Sequence, residues 1–297
     1  METEQSGFFD GAPVELPSQT SSLEPLTADG SGVTCLWLSR KGGRSRVYKA
    51  LREDYRGDPL YEQLLRKDFE IGFKLMHPHI CEYYSFRQIP SLGNAIEMEY
   101  IEGRTLASIL KEGRPGTAFC LKVLSETCEA LDYMHGKQIY HRDLKPENIL
   151  ITDRGHNVKL IDFGCSDSDS HYSMKGPAGT REYASPELIS GGEVDARSDI
   201  WSLGILLSKL FPGYRRIARK CTRPKQEERY SSASEVFTAV SRRRRFGRWA
   251  GSAAAAVIAA GIGLGIFMLN QKSAGEIDPD ALFLSTGQQI EEYMQNL

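Results

Sequence analysis

Polar residues that could perform phosphate chemistry occur in two short runs near the middle of the chain. The first is His141 to Asn148 (His-Arg-Asp-Leu-Lys-Pro-Glu-Asn), and the second is Asp162-Phe163-Gly164, fourteen residues further on. Phosphoryl transfer needs a carboxylate that orients and deprotonates a hydroxyl, and oxygen ligands for a metal ion that neutralises the phosphates. Asp143 could supply the first, and Asn148 and Asp162 could supply the second, since their oxygens suit Mg²⁺.

These two runs resemble the catalytic loop and the metal-binding motif of eukaryotic-type protein kinases, in the same order and at a similar distance. An isolated His-Arg-Asp run would more often be a solvated turn, so the joint occurrence carries the resemblance. It implies ATP and Mg²⁺ as cofactors, Asp143 as the base, and Asn148 and Asp162 as the metal ligands. Lys145, two residues after Asp143, resembles the Ser/Thr form of the loop and would contact the γ-phosphate.

A lysine in a strand-like segment resembles the phosphate-binding lysine of the same family. The segment is Val47-Tyr48-Lys49-Ala50, and the resemblance implies that Lys49 contacts the α- and β-phosphates of ATP. The family pairs this lysine with an acid on the next helix, at the position of Asp68, although glutamate is usual there. Glu70 is the alternative partner, but it would face elsewhere on a helix.

The parts that would contact the rest of the nucleotide match less completely. Gly30 and Gly32, followed by Leu36, resemble the glycine-rich loop that covers the phosphates, but the third glycine is missing. The segment from Met98 to Gly103 resembles the hinge between lobes. The resemblance implies that the backbone of Glu99 and Ile101 bonds the adenine, with Met98 at the gatekeeper position.

Later motifs extend the resemblance to about residues 24–241. Gly179 to Tyr183 resembles the substrate-docking loop, in which Thr180 would lie near Asp143. Glu187 follows Ser185-Pro186 and would pair with Arg229, while Asp199 would anchor the catalytic loop.

The distribution of apolar residues predicts the elements that position these groups. Strands are expected near Thr34–Leu38, Arg46–Leu51, Ile80–Gln88 and Ala95–Tyr100, with a helix at Leu60–Met76; helices then follow at Leu106–Lys111, Ala118–His135, Asp199–Leu210 and Ser232–Arg242. A β-rich first third followed by a helical remainder predicts an α+β protein of two lobes with a cleft between them. The N-lobe would cover about residues 24–100 and the C-lobe about residues 104–241, which together agree with a bilobal protein kinase fold.

Composition agrees with one globular domain plus appendages, at 297 residues, 40 % apolar and 26 % charged. The formal net charge of −2 gives no indication of nucleic-acid binding. The six cysteines show no zinc-like or paired spacing. Residues 1–23 are acidic and rich in Ser, Pro and Gly, which predicts a disordered tail.

Residues 249–269 carry no charge and match the ~20 residues that a helix needs to cross a bilayer. Five arginines in the basic juxtamembrane segment 242–248 predict a kinase domain on the cytoplasmic side, contact with anionic lipid, and a short external tail at 270–297. Gly261 and Gly265 would permit a homodimer through this single transmembrane helix. The alternatives for this segment are a buried core helix or a helix lying in the membrane interface, although an interfacial helix would need a polar face and the segment offers only Ser252. The alternative for the arginines is a nucleic-acid patch.

The sequence therefore predicts a single-pass kinase of the cell membrane that phosphorylates Ser/Thr hydroxyls of protein substrates. The alternative is a catalytically impaired, kinase-like scaffold at the membrane, which the incomplete glycine-rich loop and Asp68 would favour. ATP binding without turnover would indicate the scaffold.

Overall fold

The computed structural model describes residues 23–26, 32–164 and 182–274, with the backbone alone for residues 246–259 and 269–274. Gly30, Thr180, the predicted N-terminal tail before Leu23 and the part of the predicted external tail after Ala274 lie outside the described residues. The chain divides into two compact units, Met1–Val240 and Ser241–Leu297.

The first part of the chain forms an antiparallel five-stranded sheet in the order β1-β2-β3-β5-β4. Its strands are β1 (Leu23–Pro25), β2 (Thr34–Lys41), β3 (Arg44–Leu51), β4 (Tyr83–Ile89) and β5 (Gly93–Glu99). Gly42 and Gly43, with φ of +56° and +73°, make the two-residue turn between β2 and β3, as such hairpins require. The strands predicted around Thr34, Arg46 and Ala95 are thus confirmed.

One predicted strand begins later than expected. β4 starts at Tyr83, whereas Ile80 makes only an isolated parallel bridge with Leu160. β4 also contains a β-bulge, because Tyr83 pairs with Met98 and Ser85 pairs with Glu97, which leaves Tyr84 as an extra residue.

An α-helix, α1 (Pro59–Gly72), lies between β3 and β4 and follows a single 3-10 turn at Glu53–Tyr55. The Asp58 carboxylate caps α1 by accepting a bond from the Leu60 N–H at 2.8 Å. The prediction that this helix continues to Met76 was wrong. Its buried face is Leu65, Asp68 and Gly72, while Met76 beyond its end is 80 % exposed. The apolar spacing that suggested a longer helix therefore did not identify the face that packs on the sheet.

The second lobe is mainly helical. Its helices are α2 (Leu106–Glu112), α3 (Thr117–Gly136), α4 (Pro186–Ser190), α5 (Ala196–Leu210), α6 (Arg215–Cys221) and the start of α7 (Ala233–Ala274). A small sheet, β6 (Gly103–Thr105), β7 (Ile149–Thr152) and β8 (Val158–Leu160), was not predicted, because three- and four-residue strands show little periodicity. The α+β architecture of two lobes is confirmed.

The first turn of α7 is tied to α3 by a carboxylate distant in sequence. Asp132 accepts the backbone N–H groups of Ala233 and Ser234, both at 2.9 Å. Val236 and Val240 on the following turns are fully buried. This cap satisfies two N–H groups that a helix start leaves without an intrahelical partner.

Residues 249–269 lie within α7. Among the residues that the structure describes, no helix combines the length and the apolar character needed to cross a bilayer. The predicted transmembrane helix is thus not confirmed. Alanine and glycine are the commonest residues of the segment, and each adds little apolar surface.

Candidate active site

The loop between α3 and β7 brings three of the predicted site residues together. Asp143 is 7 % exposed, and the Lys145 ammonium lies 3.0 and 2.8 Å from its two carboxylate oxygens. The Asn148 amide donates to the main-chain oxygen of Asp143 at 2.8 Å and to its carboxylate at 3.0 Å. Asp143 is therefore held in one orientation by two neighbours from the same loop.

Asp199 of α5 fixes the backbone of this loop from the interior. Its carboxylate accepts the N–H groups of His141 and Arg142, each at 2.8 Å, and a third bond from the His135 ring at 2.8 Å. Arg142 has a φ of +61°, a conformation that costs free energy in a non-glycine residue. Burial raises the pKa of Asp199, but the bonds from His135 and His141 outweigh burial and lower the pKa overall, so the carboxylate stays ionised.

Asp162 lies next to this loop and faces the other lobe. The Ile161 N–H donates to the Asn148 carbonyl at 3.1 Å, which places Asp162 beside the loop, and its backbone φ is +65°. Its carboxylate lies 2.8 Å from the Lys49 ammonium. Phe163, fully buried, packs with its ring centroid 5.7 Å from those of His141 and Tyr83.

Lys49 on β3 pairs with Asp68 on α1 at 2.6 Å, and both are almost fully buried. Burial lowers the pKa of the Lys49 ammonium, but the carboxylates of Asp162 and Asp68 outweigh burial and raise it well above its usual range. Lys49 is therefore a permanent cation between two anions. Glu70, the alternative partner, is exposed.

The remaining nucleotide-contacting candidates that the structure describes lie on or beside β2 and β5. Leu36 on β2 is directly opposite Lys49 in the sheet register. Glu99 at the end of β5 donates its N–H to the Glu82 carbonyl at 2.8 Å, and its carboxylate pairs with Lys159 at 2.8 Å. Gly32 has open space on its side-chain side, and Ile101 follows β5 as a half-buried residue.

Asn148 and Asp162 have the chemistry expected of magnesium ligands. The Asn148 amide nitrogen bonds Asp143, so its amide oxygen remains as the acceptor. Mg²⁺ prefers oxygen ligands and typically takes only one or two carboxylates, with waters and phosphate oxygens completing its shell. Within the described ranges, no group of three or more His, Cys, Asp or Glu residues could hold a metal without such a partner. The donor set fits a metal that arrives with a nucleotide.

An ion pair between Glu187 and Arg229 braces the C-lobe. The Arg229 guanidinium binds both carboxylate oxygens of Glu187, at 2.7 and 2.8 Å, and also bonds the carbonyls of Arg197, Arg223 and Pro224. Ser198 donates to the same carboxylate at 2.6 Å. These contacts join α4, α5 and the segment before α7.

The family described as "Protein kinase domain" matches residues 28–252. The chain belongs to this family. A serine/threonine-protein kinase PknB from Mycobacterium leprae is 34 % identical over 178 residues, which is 57 % of this chain and 28 % of the relative. A probable serine/threonine-protein kinase from Streptomyces coelicolor is 37 % identical over 180 residues, 57 % of this chain and 26 % of the relative. The matched region spans about a quarter of these relatives.

The solved kinase domain of PknI from Mycobacterium tuberculosis has the same fold. Its TM-score is 0.58 at 21 % identity, and the match covers 72 % of this chain and 93 % of that domain. Together with the family match, this likeness shows that the two lobes form the bilobal protein kinase fold.

Several residues that shape the candidate site and the C-lobe beside it were missed from the sequence. Tyr83 donates to Asp68 at 3.3 Å, Ser198 bonds Glu187, and His135 bonds Asp199. No local signal marks Tyr83, because the β-bulge after it breaks the alternation that would have predicted its burial. His135 and Ser198 lie in helices, and no local pattern marks them because their partners belong to other elements.

Proposed function

We propose that the chain is an ATP-dependent Ser/Thr protein kinase. The observation that carries the proposal is the convergence of two charged clusters. Asp143, Lys145 and Asn148 form one, and Lys49, Asp68 and Asp162 form the other. The bond from Ile161 to Asn148 brings the two clusters together, so one nucleotide could contact both.

Each polar group has a distinct task in this reaction. Asp143 accepts the proton of the protein hydroxyl, since Lys145 and Asn148 hold its carboxylate in a fixed orientation. Lys145, already in contact with Asp143, neutralises charge on the transferred phosphoryl group, and Lys49 binds the other phosphates. Asn148 and Asp162 would hold Mg²⁺, which supplies further neutralisation of the phosphate charge.

The substrate class follows from Lys145 and from the relatives. A lysine two residues after the base is typical of kinases that act on Ser/Thr, and the relatives carry Ser/Thr kinase names. We therefore propose proteins with accessible Ser or Thr hydroxyls as substrates.

Transfer of radiolabelled γ-phosphate by the purified full chain tests this proposal. We expect Mg²⁺-dependent labelling of Ser/Thr in the chain itself or in added protein. Asp143→Asn should reduce it by about 10²- to 10⁴-fold, the usual contribution of general base catalysis. Asp153→Asn, which changes an exposed carboxylate beyond β7, is the matched control and should keep full activity. Equal labelling by wild type and Asp143→Asn would refute the assignment.

A catalytically impaired scaffold is the second candidate, supported by aspartate at position 68 in place of glutamate and by the incomplete glycine-rich loop. ATP and Mg²⁺ would then raise the melting temperature of the chain without phosphate transfer. Retention of the whole Asp143–Lys145–Asn148 arrangement favours the active enzyme.

We also propose that residues 242–269 attach the chain to a membrane, with the kinase domain on the cytoplasmic side. The support is the cluster of five arginines together with exposed large apolar side chains on α7, namely Ile262, Leu264, Ile266, Phe267 and Met268. Anionic lipid, and a homodimer through Gly261 and Gly265, belong to the same proposal. Retention of the full chain in membranes at alkaline pH would support attachment through the apolar segment. Release by high salt would show that the arginines alone hold it.

A further inference from the structure

Tyr83 is buried at the first position of β4, although its neighbour Tyr84 is partly exposed. The extra residue of the β-bulge, Tyr84, separates the pairs Tyr83–Met98 and Ser85–Glu97. Bulges of this kind turn a side chain that regular alternation would aim differently. Tyr83 is 4 % exposed, whereas the ring of Tyr84 lies under the Arg46 guanidinium at 4.2 Å.

Gly72 in the last turn of α1 provides the space for the Tyr83 ring. A Cβ atom at this position would lie 2.4 and 2.6 Å from two carbons of the ring, closer than real contacts allow. Any other residue would therefore displace the ring. Glycine lowers the stability of a helix, yet the sequence has one at the position where the Tyr83 ring packs on the backbone of α1.

The hydroxyl of Tyr83 contacts Asp68, which lies one turn before Gly72 on α1. It donates to Oδ1 of Asp68 at 3.3 Å, while Oδ2 accepts from the Lys49 ammonium at 2.6 Å. Burial and the charge of Asp68 raise the pKa of Tyr83 well above its usual range, so the hydroxyl keeps its proton and acts as a donor. Each carboxylate oxygen of Asp68 thus has its own partner.

We propose that Tyr83 is a positioning residue that holds the short carboxylate of Asp68 against Lys49, and that Gly72 is required for its placement. An aspartate has one methylene fewer than a glutamate, and its carboxylate must be held at the right distance from the ammonium. The hydroxyl fixes the orientation of that carboxylate, and the ring fills the volume beside it. The consequence for phosphate binding by Lys49 rests on the proposed kinase function; the coupling of Tyr83 to Asp68 does not.

Removal of the hydroxyl alone tests the proposal. Tyr83→Phe in the full chain should raise the KM for ATP by about tenfold, as expected for loss of one hydrogen bond to a charged group. The KM for the protein substrate should stay unchanged, since Lys49 would contact only the nucleotide. Tyr84→Phe is the matched control, which removes a hydroxyl one residue away and should leave both constants as in wild type. The proposal would be overturned if Tyr83→Phe, Tyr84→Phe and wild type all had the same KM for ATP.

Lengthening the acid provides a rescue that a purely structural role of Tyr83 would not produce. Asp68→Glu alone should weaken ATP binding, because the added methylene moves the carboxylate by about 1.5 Å toward the hydroxyl. Combined with Tyr83→Phe, the longer acid should recover most of the lost affinity. Losses that simply add in the double variant would contradict the positioning role.

A double-mutant cycle of folding stability, measured without nucleotide, tests this inference independently of the proposed function. Urea midpoints are compared for wild type, Tyr83→Phe, Asp68→Ala and the double variant, since alanine leaves no acceptor for the Tyr83 hydroxyl. We expect the two single shifts to sum to more than the double shift. Additive shifts would overturn the coupling of Tyr83 to Asp68, whether or not the chain phosphorylates proteins. Equal labelling by wild type and Asp143→Asn would instead refute only the kinase assignment.

Discussion

Replacing Glu187 by glutamine removes one charge from a buried ion pair and keeps the size of the side chain. Glu187 is bound by both terminal nitrogens of Arg229 and by Ser198, and its side chain is 10 % exposed while that of Arg229 is fully buried. A neutral amide can accept only part of these bonds. Arg229 would remain charged in the interior, with three backbone carbonyls as its partners.

The size of the effect follows from the acidity of Glu187. Burial raises its pKa, but the bonds from Arg229 and Ser198 outweigh burial and lower the pKa from 4.5 to about 2. Such a depression corresponds to about 3 kcal/mol, which solvent screening reduces to about 2 kcal/mol. Because the folded-state pKa is the lower one, this stabilisation is complete above pH 4.5 and is lost as the pH falls toward 2. Glu187→Gln should therefore cost about 2 kcal/mol at neutral pH and about 1 kcal/mol or less near pH 3.

Urea unfolding followed by circular dichroism at these two pH values measures the change. Glu182→Gln is the matched control, since Glu182 pairs with Lys209 at 3.0 Å but is 54 % exposed. An exposed pair contributes less than about 1 kcal/mol, so this variant should unfold nearly as wild type does. A cost of Glu187→Gln that is the same at both pH values, or no larger than that of the control, would refute the reasoning.

Two further substitutions test the scaffold around the site. Asp199→Asn should lower the unfolding free energy by about 2–4 kcal/mol and reduce phosphate transfer, because a neutral amide cannot accept all three N–H groups that fix the catalytic loop; unchanged stability would contradict this. Gly103→Ala should lower the unfolding free energy by about 1–3 kcal/mol, since the new Cβ would lie 2.2 Å from the Ile151 carbonyl oxygen across the small sheet; Gly136→Ala, which meets open space at the end of α3, is its control, and urea unfolding measures all three variants.

The residues of the site that occur in linear motifs could be predicted from the sequence. Asp143, Lys145 and Asn148 lie within one loop, so their spacing in the chain already limits their distances. The pairing of Lys49 with Asp68 followed from the resemblance, and the structure places them in contact. Their assigned roles with ATP and Mg²⁺ remain predictions.

The residues that escaped prediction interact across long separations or follow an irregular backbone. The burial of Tyr83 depends on a bulge, and bulges leave no mark in an alternating pattern. The glycine at the end of α1, Gly72, could not be interpreted from apolar periodicity, because the Tyr83 ring that occupies the space beside it comes from β4. The three short strands of the small sheet form only because β6, β7 and β8 meet in the folded chain.

Because Asp132 caps α7, the packing of α3 against α7 cannot be completed until α7 has been synthesised. Asp132 leaves the ribosome 101 residues before Ala233, whose N–H group it accepts. At a synthesis rate of ~5–20 residues per second, Ala233 is synthesised roughly 5–20 s after Asp132. During that interval the surface of α3 that later covers the start of α7 stays open to other contacts. The C-lobe therefore becomes complete only at the end of synthesis of the first unit, and a chain that stops before α7 would expose this surface to chaperones and proteases.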